Sequence, residues 1–367
     1  MIRGIAALEV CLGHLRGFFL VDYGQTGGGG ATLIFYALTG LHHQAVIIFF
    51  ALSGFLVGGS VVKAHRLGTW RWTPYLLRRL CRLWIVILPA LVLTALWDIL
   101  GARLNPTAYT GQWQAQLLSG PGPGYDLSAT AFVGNLVFLQ TIFVAPFGSN
   151  GPLWSLANEF WYYLLFPVLM QVLVSGTTRR ARLGALAASL LLLWLLPSAI
   201  LAYGLIWLFG VAAYVVLDRP ALVRVLAAWP VGIMAISALV GTLLASRAKL
   251  ALGNDFLIGL AFAASLPWLA RAGATWRWYR WSGFAMSEIS YTLYLVHFPL
   301  LAWMYFTFFA PAQMQPSAFS LGILALALIV VIGYSAALWW LFERNTDRFR
   351  GALTAWWQHR MKSPRQA

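Results

Sequence analysis

Arg3 and His14 stand eleven residues apart in the apolar stretch RGIAALEVCLGHLRGFF. Eleven residues are close to three helical turns, so on a helix the two share a face, about 20° apart in angle and ~16 Å apart along the axis. A guanidinium at one level and an imidazole three turns deeper suit a long ligand with an anionic head and a reactive far end. Glu9 and Arg16 point to other faces of the same helix. Glu9 is expected to pair with a basic residue of a neighbouring helix, and Arg16 to snorkel outward. The run YLLRRLCRLW puts Arg78, Arg79 and Arg82 within about one turn, with Arg78 and Arg82 on one face. Such a trio serves as a topology signal or as a phosphate site that, with Arg3, holds a phosphorylated nucleotide. GPLWSLANEFWYY supplies Trp154, Ser155 and Glu159. The carboxylate is either an acid, base or hydroxyl-binding group approached from outside, or the partner of an intramembrane arginine such as Arg16. EISYTLYLVHFPLL supplies Tyr291, Tyr294 and His297, with Tyr294 and His297 on one face.

These side chains need positioning elements, and the composition says which kind. The chain has 367 residues, of which 60% are hydrophobic and 10% charged. A soluble domain carries about a quarter charged residues, so this chain has too little polar surface to face water all round. The expected fold class is all-α, a polytopic membrane bundle of ten spans at roughly 2–22, 42–63, 75–100, 152–174, 181–198, 200–217, 227–246, 254–271, 284–309 and 318–342. Nineteen tryptophans suit aromatic belts at the two interfaces. The stretch 129–145 contains Asn135 and Gln140 and ends at Pro146, and reads as a partly buried or re-entrant part of a loop rather than an eleventh span. The loop of about 101–151, with its SGPGPGYD segment, is the longest, and loops of that length are functional or disordered. Ser53, Gly54, Gly58 and Gly59 in FFALSGFLVGG let neighbouring backbones approach.

Charge sets the expected topology. The net charge of +15 is concentrated in short loops between spans, which favours membrane orientation over nucleic-acid binding. One set of loops holds Lys63, Arg66, Arg71, Arg179, Arg180, Arg182, Arg219, Arg224, Arg271, Arg277 and Arg280; the alternate loops hold only Arg103, Arg247 and Lys249. Both termini are therefore expected in the cytoplasm. Residues 1–343 form the membrane domain, and 344–367 a basic cytoplasmic tail with tryptophans that suit a membrane surface. Cys11 and Cys81 both fall inside spans, which argues against a disulfide framework. The first apolar stretch has no small-residue cleavage site and carries charges, unlike a signal peptide.

Taken in order, the segments resemble the integral-membrane acyltransferase 3 family, the O-acetylases of surface polysaccharides and related glycans. The resemblance runs through RGIAAL with Arg3 and His14, FFALSGFLV, the arginines of the third span, PLWSLANEFWYY with Glu159, and ISYTLYLVH with His297, and covers almost the whole chain. Only Met1 and Ile2 precede Arg3 where the family carries an L-D-x-L, and Glu9 occupies a position expected to be apolar. The resemblance implies an acyl-CoA donor, usually acetyl-CoA, no metal, and a carbohydrate or glycolipid hydroxyl as acceptor, at the cell inner (plasma) membrane.

On that basis Arg3, Arg78, Arg79 and Arg82 are expected to hold the nucleotide head of coenzyme A. His14 is expected to act as general base, with Glu159 and His297 completing the catalytic set. Trp154, Ser155, Tyr291 and Tyr294 are expected at the substrate; His297, Tyr294 and Ser155 are candidate oxyanion donors. In a two-step route Cys11, one turn before His14, is a candidate acyl carrier, and a small apolar helix contact is the simpler account of it. A transporter or flippase of a lipid-linked sugar is the competing expectation, because intramembrane His, Glu and Arg also serve substrate paths. Against it stand the lack of an internal repeat and the gathering of arginines at one mouth.

Overall fold

The structure, a computed structural model, describes residues 1–109, 125–174, 177–272 and 277–362. Each of the ten expected spans folds largely as helix. In chain order the helices are α1 (Ile2–Phe19), α2 (Gly30–Leu38), α3 (His42–Ser53), α4 (Gly59–Arg66), α5 (Trp72–Leu104), α6 (Ala129–Leu136), α7 (Leu153–Leu173), α8 (Arg179–Leu195), α9 (Ser198–Leu217), α10 (Pro220–Leu226), α11 (Trp229–Arg247), α12 (Asp255–Ala272), α13 (Arg277–Phe308), α14 (Ala318–Leu341) and α15 (Thr346–Lys362). No strand occurs among the described residues. Among the described residues, six helical segments are long and apolar enough to cross a membrane: Gly30–Arg66, Trp72–Leu104, Ser198–Leu217, Trp229–Arg247, Met286–Phe308 and Ala318–Trp356. The protein is therefore an all-helical membrane protein. Helix α1 falls outside that set, as its internal charges dictate.

The stretch 129–145 does not cross. Only α6 forms there, and its eight residues reach about 12 Å, far short of a bilayer core of about 30 Å. Its polar residues are tied down inside the protein. Asn135 donates from Nδ2 to the carbonyls of Ala131 and Ala145 and accepts from the Phe147 amide at Oδ1, while Gln140 donates to the Leu153 carbonyl. Residues 119–124, the core of the glycine- and proline-rich segment, and the tail beyond 362 lie outside the described residues.

Helix α1 is at the centre of the bundle, packed chiefly against α13 and α3. Its two other charged residues are absorbed structurally. Glu9 Oε1 accepts from the Leu41 amide at 2.8 Å and so caps the start of α3. Arg16 is buried instead of snorkelling outward: its guanidinium lies 4.8 Å above the Tyr36 ring and Nε donates to the Thr39 carbonyl at 3.4 Å. Arg247, from α11, donates to the carbonyls of Gly40 and Tyr36. All three charges thus secure the turn between α2 and α3 by binding free backbone groups at helix ends, which removes the cost of leaving either unpaired.

Between α3 and α4 the backbone widens into a π-helical turn, Gly54–Gly58. A Cβ on Gly54 would lie 1.8 Å from the Trp207 carbonyl oxygen, and one on Gly210 would lie 1.8 Å from that of Ala51. The two glycines therefore bring α9 into backbone contact with the end of α3, as expected of small residues at a membrane helix interface.

Candidate active site

Two cavities open among the helices around α1. The first, of about 290 Å³, is lined by Arg3 of α1, Ser53 of α3, Arg79 and Arg82 of α5, and Glu159 and Tyr163 of α7. Tyr291 and Tyr294 of α13 and Ser155 of α7 complete its polar lining with Ser290. Three guanidiniums face one carboxylate here, so the cavity carries an excess of positive charge and suits an anion. The Arg79 guanidinium is held over two rings, 5.6 Å from Tyr75 and 5.8 Å from Tyr163. Arg82 lies 4.0 Å from Glu343, whose other carboxylate oxygen accepts from the Thr292 hydroxyl at 2.6 Å. Glu159 accepts from the Tyr163 hydroxyl at 3.0 Å, and that hydroxyl lies 3.2 Å from Ser53 Oγ.

The second cavity, of about 550 Å³, is lined by His14 of α1, His42 and His43 of α3, Trp154 and Asn158 of α7, and Tyr203 of α9. His14 is fixed on three sides. Its ring lies nearly parallel to that of His297, centroids 5.2 Å apart at 11°, meets the edge of Phe298 at 4.8 Å, and lies 5.2 Å from His42. His14 Nδ1 is 2.9 Å from His297 Nε2, and His297 Nδ1 is 2.8 Å from the Leu293 carbonyl oxygen.

Those two distances assign the tautomers of the neutral pair. A carbonyl only accepts, so His297 Nδ1 carries the proton and its Nε2 is a lone pair. His14 Nδ1 must then donate to it, which leaves the lone pair of His14 on Nε2. The chain therefore holds an imidazole with one nitrogen fixed as donor and the other left basic, on the wall of a cavity.

Two residues, Val46 and Tyr294, line both cavities. The Tyr294 hydroxyl lies 2.6 Å from Ser155 Oγ and donates to the Pro152 carbonyl at 3.2 Å. The basic chamber and the imidazole chamber are thus neighbours that share a wall.

Most of the residues singled out in the sequence meet here, in an arrangement the sequence did not dictate. Arg3, Arg79 and Arg82 converge, the last two being three apart on α5, whereas Arg78 is exposed and lines neither cavity. Glu159 stands with the arginines and not beside His14, and it does not pair with Arg16. Trp154 faces the imidazole cavity, while Ser155 and Tyr291 face the basic one. His297 is fully buried behind His14 and lines neither cavity, and the same holds for Cys11. Ser53, read as a packing residue, also lines the basic cavity. His42, His43, Tyr203 and Glu343 belong to the site and went unread. The adjacent histidines at the start of an apolar run, LHHQAVIIFF, were the available signal.

A family described as an acyltransferase domain, acyltransferase 3, matches residues 1–339. No curated protein and no solved structure matches the chain. The match covers nearly the whole chain, and the protein belongs to this family of membrane acyltransferases.

Proposed function

We propose that this membrane acyltransferase takes an acyl group, in the simplest case acetyl, from cytoplasmic acyl-CoA and transfers it to a hydroxyl of an extracytoplasmic or membrane-linked carbohydrate, working in the inner (plasma) membrane. The single observation that carries this reading is the shared wall: a cationic chamber and a chamber with a basic imidazole nitrogen adjoin at Tyr294 and Val46. Coenzyme A has an anionic nucleotide head and a long arm ending in the thioester. In this reading the head rests on Arg3, Arg79 and Arg82, and the arm runs along α1 toward His14, about 16 Å deeper. With both termini in the cytoplasm, as the loop charges favour, the basic chamber faces the donor and the imidazole chamber faces the acceptor.

The steps follow from the tautomers. His14 Nε2 takes the proton of the acceptor hydroxyl as its oxygen attacks the thioester carbonyl. His297 accepts from His14 Nδ1–H and stabilises the imidazolium that forms. The tetrahedral oxyanion then expels the coenzyme thiolate, and His14 returns the proton to sulfur, so ester and free thiol leave with the proton count balanced. His297 acts here as a positioning residue, because its one N–H is committed to Leu293. The hydroxyls of Tyr294 and Ser155, now turned on each other and on Pro152, are the groups available to the oxyanion once the substrates enter. Glu159, hydrogen-bonded to Tyr163 among the arginines, balances charge in the donor chamber. Cys11 has no access to either chamber, which favours direct transfer over a cysteine carrier. The transporter alternative gains no support from the family match.

The test is transfer of labelled acyl groups from acyl-CoA to glycan by the purified protein in vesicles. Thioester cleavage coupled to ester formation is expected. Movement of a sugar substrate across the vesicle without thioester consumption would overturn the proposal.

A further inference from the structure

The imidazole cavity has a second polar wall that the transfer steps leave unused. His43 and Tyr203 both line it, and both are bonded to a residue behind them that does not: His43 Nε2 lies 2.9 Å from Asp255 Oδ2, and the Tyr203 hydroxyl donates to the same oxygen at 3.3 Å. Asp255 opens α12, while His43 and Tyr203 come from α3 and α9, so three helices meet at one carboxylate oxygen. An ionised carboxylate only accepts. It therefore takes the Nε2 proton of His43 and the phenolic proton of Tyr203, which leaves the Tyr203 oxygen as an acceptor and Nδ1 as the ring nitrogen of His43 still open to a ligand in the cavity these residues line. Beside them stand the Tyr203 and Trp154 rings, 5.5 Å apart and tilted 47° to each other, each offering an aromatic face next to these polar atoms.

We infer that His43 and Tyr203, both held by Asp255, determine which acceptor is used, by hydrogen-bonding hydroxyls of the acceptor other than the one acylated. The inference rests on the acyl-transfer reading. A ring with several hydroxyls, stacked on Trp154 or Tyr203, satisfies such a wall; a simple alcohol does not.

The test uses the full chain in vesicles with labelled acetyl-CoA and three octyl glycosides that differ in the direction of one hydroxyl: the β-glucoside, the β-galactoside and the β-mannoside. Wild type is expected to separate the best from the worst by about tenfold or more in kcat/KM, the value of one good hydrogen bond. Asp255→Asn, whose amide can donate, and Tyr203→Phe, which deletes only a hydroxyl, are each expected to compress that range to within about twofold. The KM for acetyl-CoA should not move. Two variants guard against a folding defect in one, and retained acetyl-CoA KM reports a folded donor site. Equal use of the three glycosides by wild type, an unchanged ranking in both variants, or transfer to none of the three would each overturn the inference. Cleavage of acetyl-CoA that depends on His14 would still uphold the acyl-transfer reading, so the two fail separately.

Discussion

The two chambers beside α1 share α1, α3, α7 and α13 and solve opposite problems, one with α5 added and the other with α9. The basic chamber works through net charge: Arg3, Arg79 and Arg82 outnumber the nearby carboxylates of Glu159 and Glu343, and Arg79 is steered by aromatic faces instead of a carboxylate. The imidazole chamber works through proton placement: His14 and His297 form a neutral, directed pair against Phe298, with no carboxylate bonded to either ring. Charge binds at a distance and tolerates a flexible ligand, whereas a fixed tautomer acts only on an atom within hydrogen-bond reach. Binding and chemistry are thereby divided between the two ends of one short helix. Substitutions in one chamber should leave the other's kinetic parameter alone, and that expectation is open to attack at four points.

The largest effect belongs to His14. His14→Ala is expected to lower kcat by about a thousandfold while the KM for acyl-CoA stays close to wild type; near-normal turnover in an inserted, folded protein would remove the imidazole from the mechanism. Next comes the basic chamber. Arg79→Ala with Arg82→Ala should raise the KM for acyl-CoA by about tenfold to a hundredfold with a much smaller change in kcat. Steady-state kinetics with donor and acceptor varied in turn checks this, and an effect on the acceptor alone would place the nucleotide head elsewhere. His297→Phe keeps a ring behind His14 but deletes its hydrogen-bond acceptor. A loss on the order of tenfold in kcat is expected, smaller than that of His14→Ala; a loss as large would mean that His297 reacts with substrate and does not merely position. The smallest change sharpens the picture most. Arg78→Ala removes an exposed cation, and the donor KM should change by less than about twofold, although Arg78 and Arg79 are neighbours in sequence.

How much of this was legible beforehand depended on how far a contact reaches along the chain. The helices announce themselves through apolar runs, and Pro146 with Asn135 correctly marked 129–145 as a segment that does not cross. The shared face of Arg3 and His14 follows from helical geometry alone. What could not be read was which side chains from different helices meet. His14 and His297 are 283 residues apart, and His43 and Asp255 are 212 apart. Periodicity places each residue on a face of its own helix and says nothing of the neighbour across from it. Arg16 misled for a different reason. Its place near the end of an apolar helix suggested a snorkelling side chain, but the Thr39 carbonyl and the Tyr36 ring supply in the interior what the headgroup region would have supplied outside. Arg78 and Arg82 share a face, yet the cavity lies toward Arg79 and Arg82, a choice made by where α7 and α13 pack and not by α5 itself.

The partition made by Tyr294 and Val46 has one more effect. Two voids that approach each other inside a bilayer-spanning bundle are half of a conducting pore, and a file of water joining them would short-circuit any ion gradient the membrane stores. The phenol hydrogen-bonded to Ser155 and Pro152 stands between the two at rest, so a side chain already required by the site also narrows that path until the donor arm takes its place.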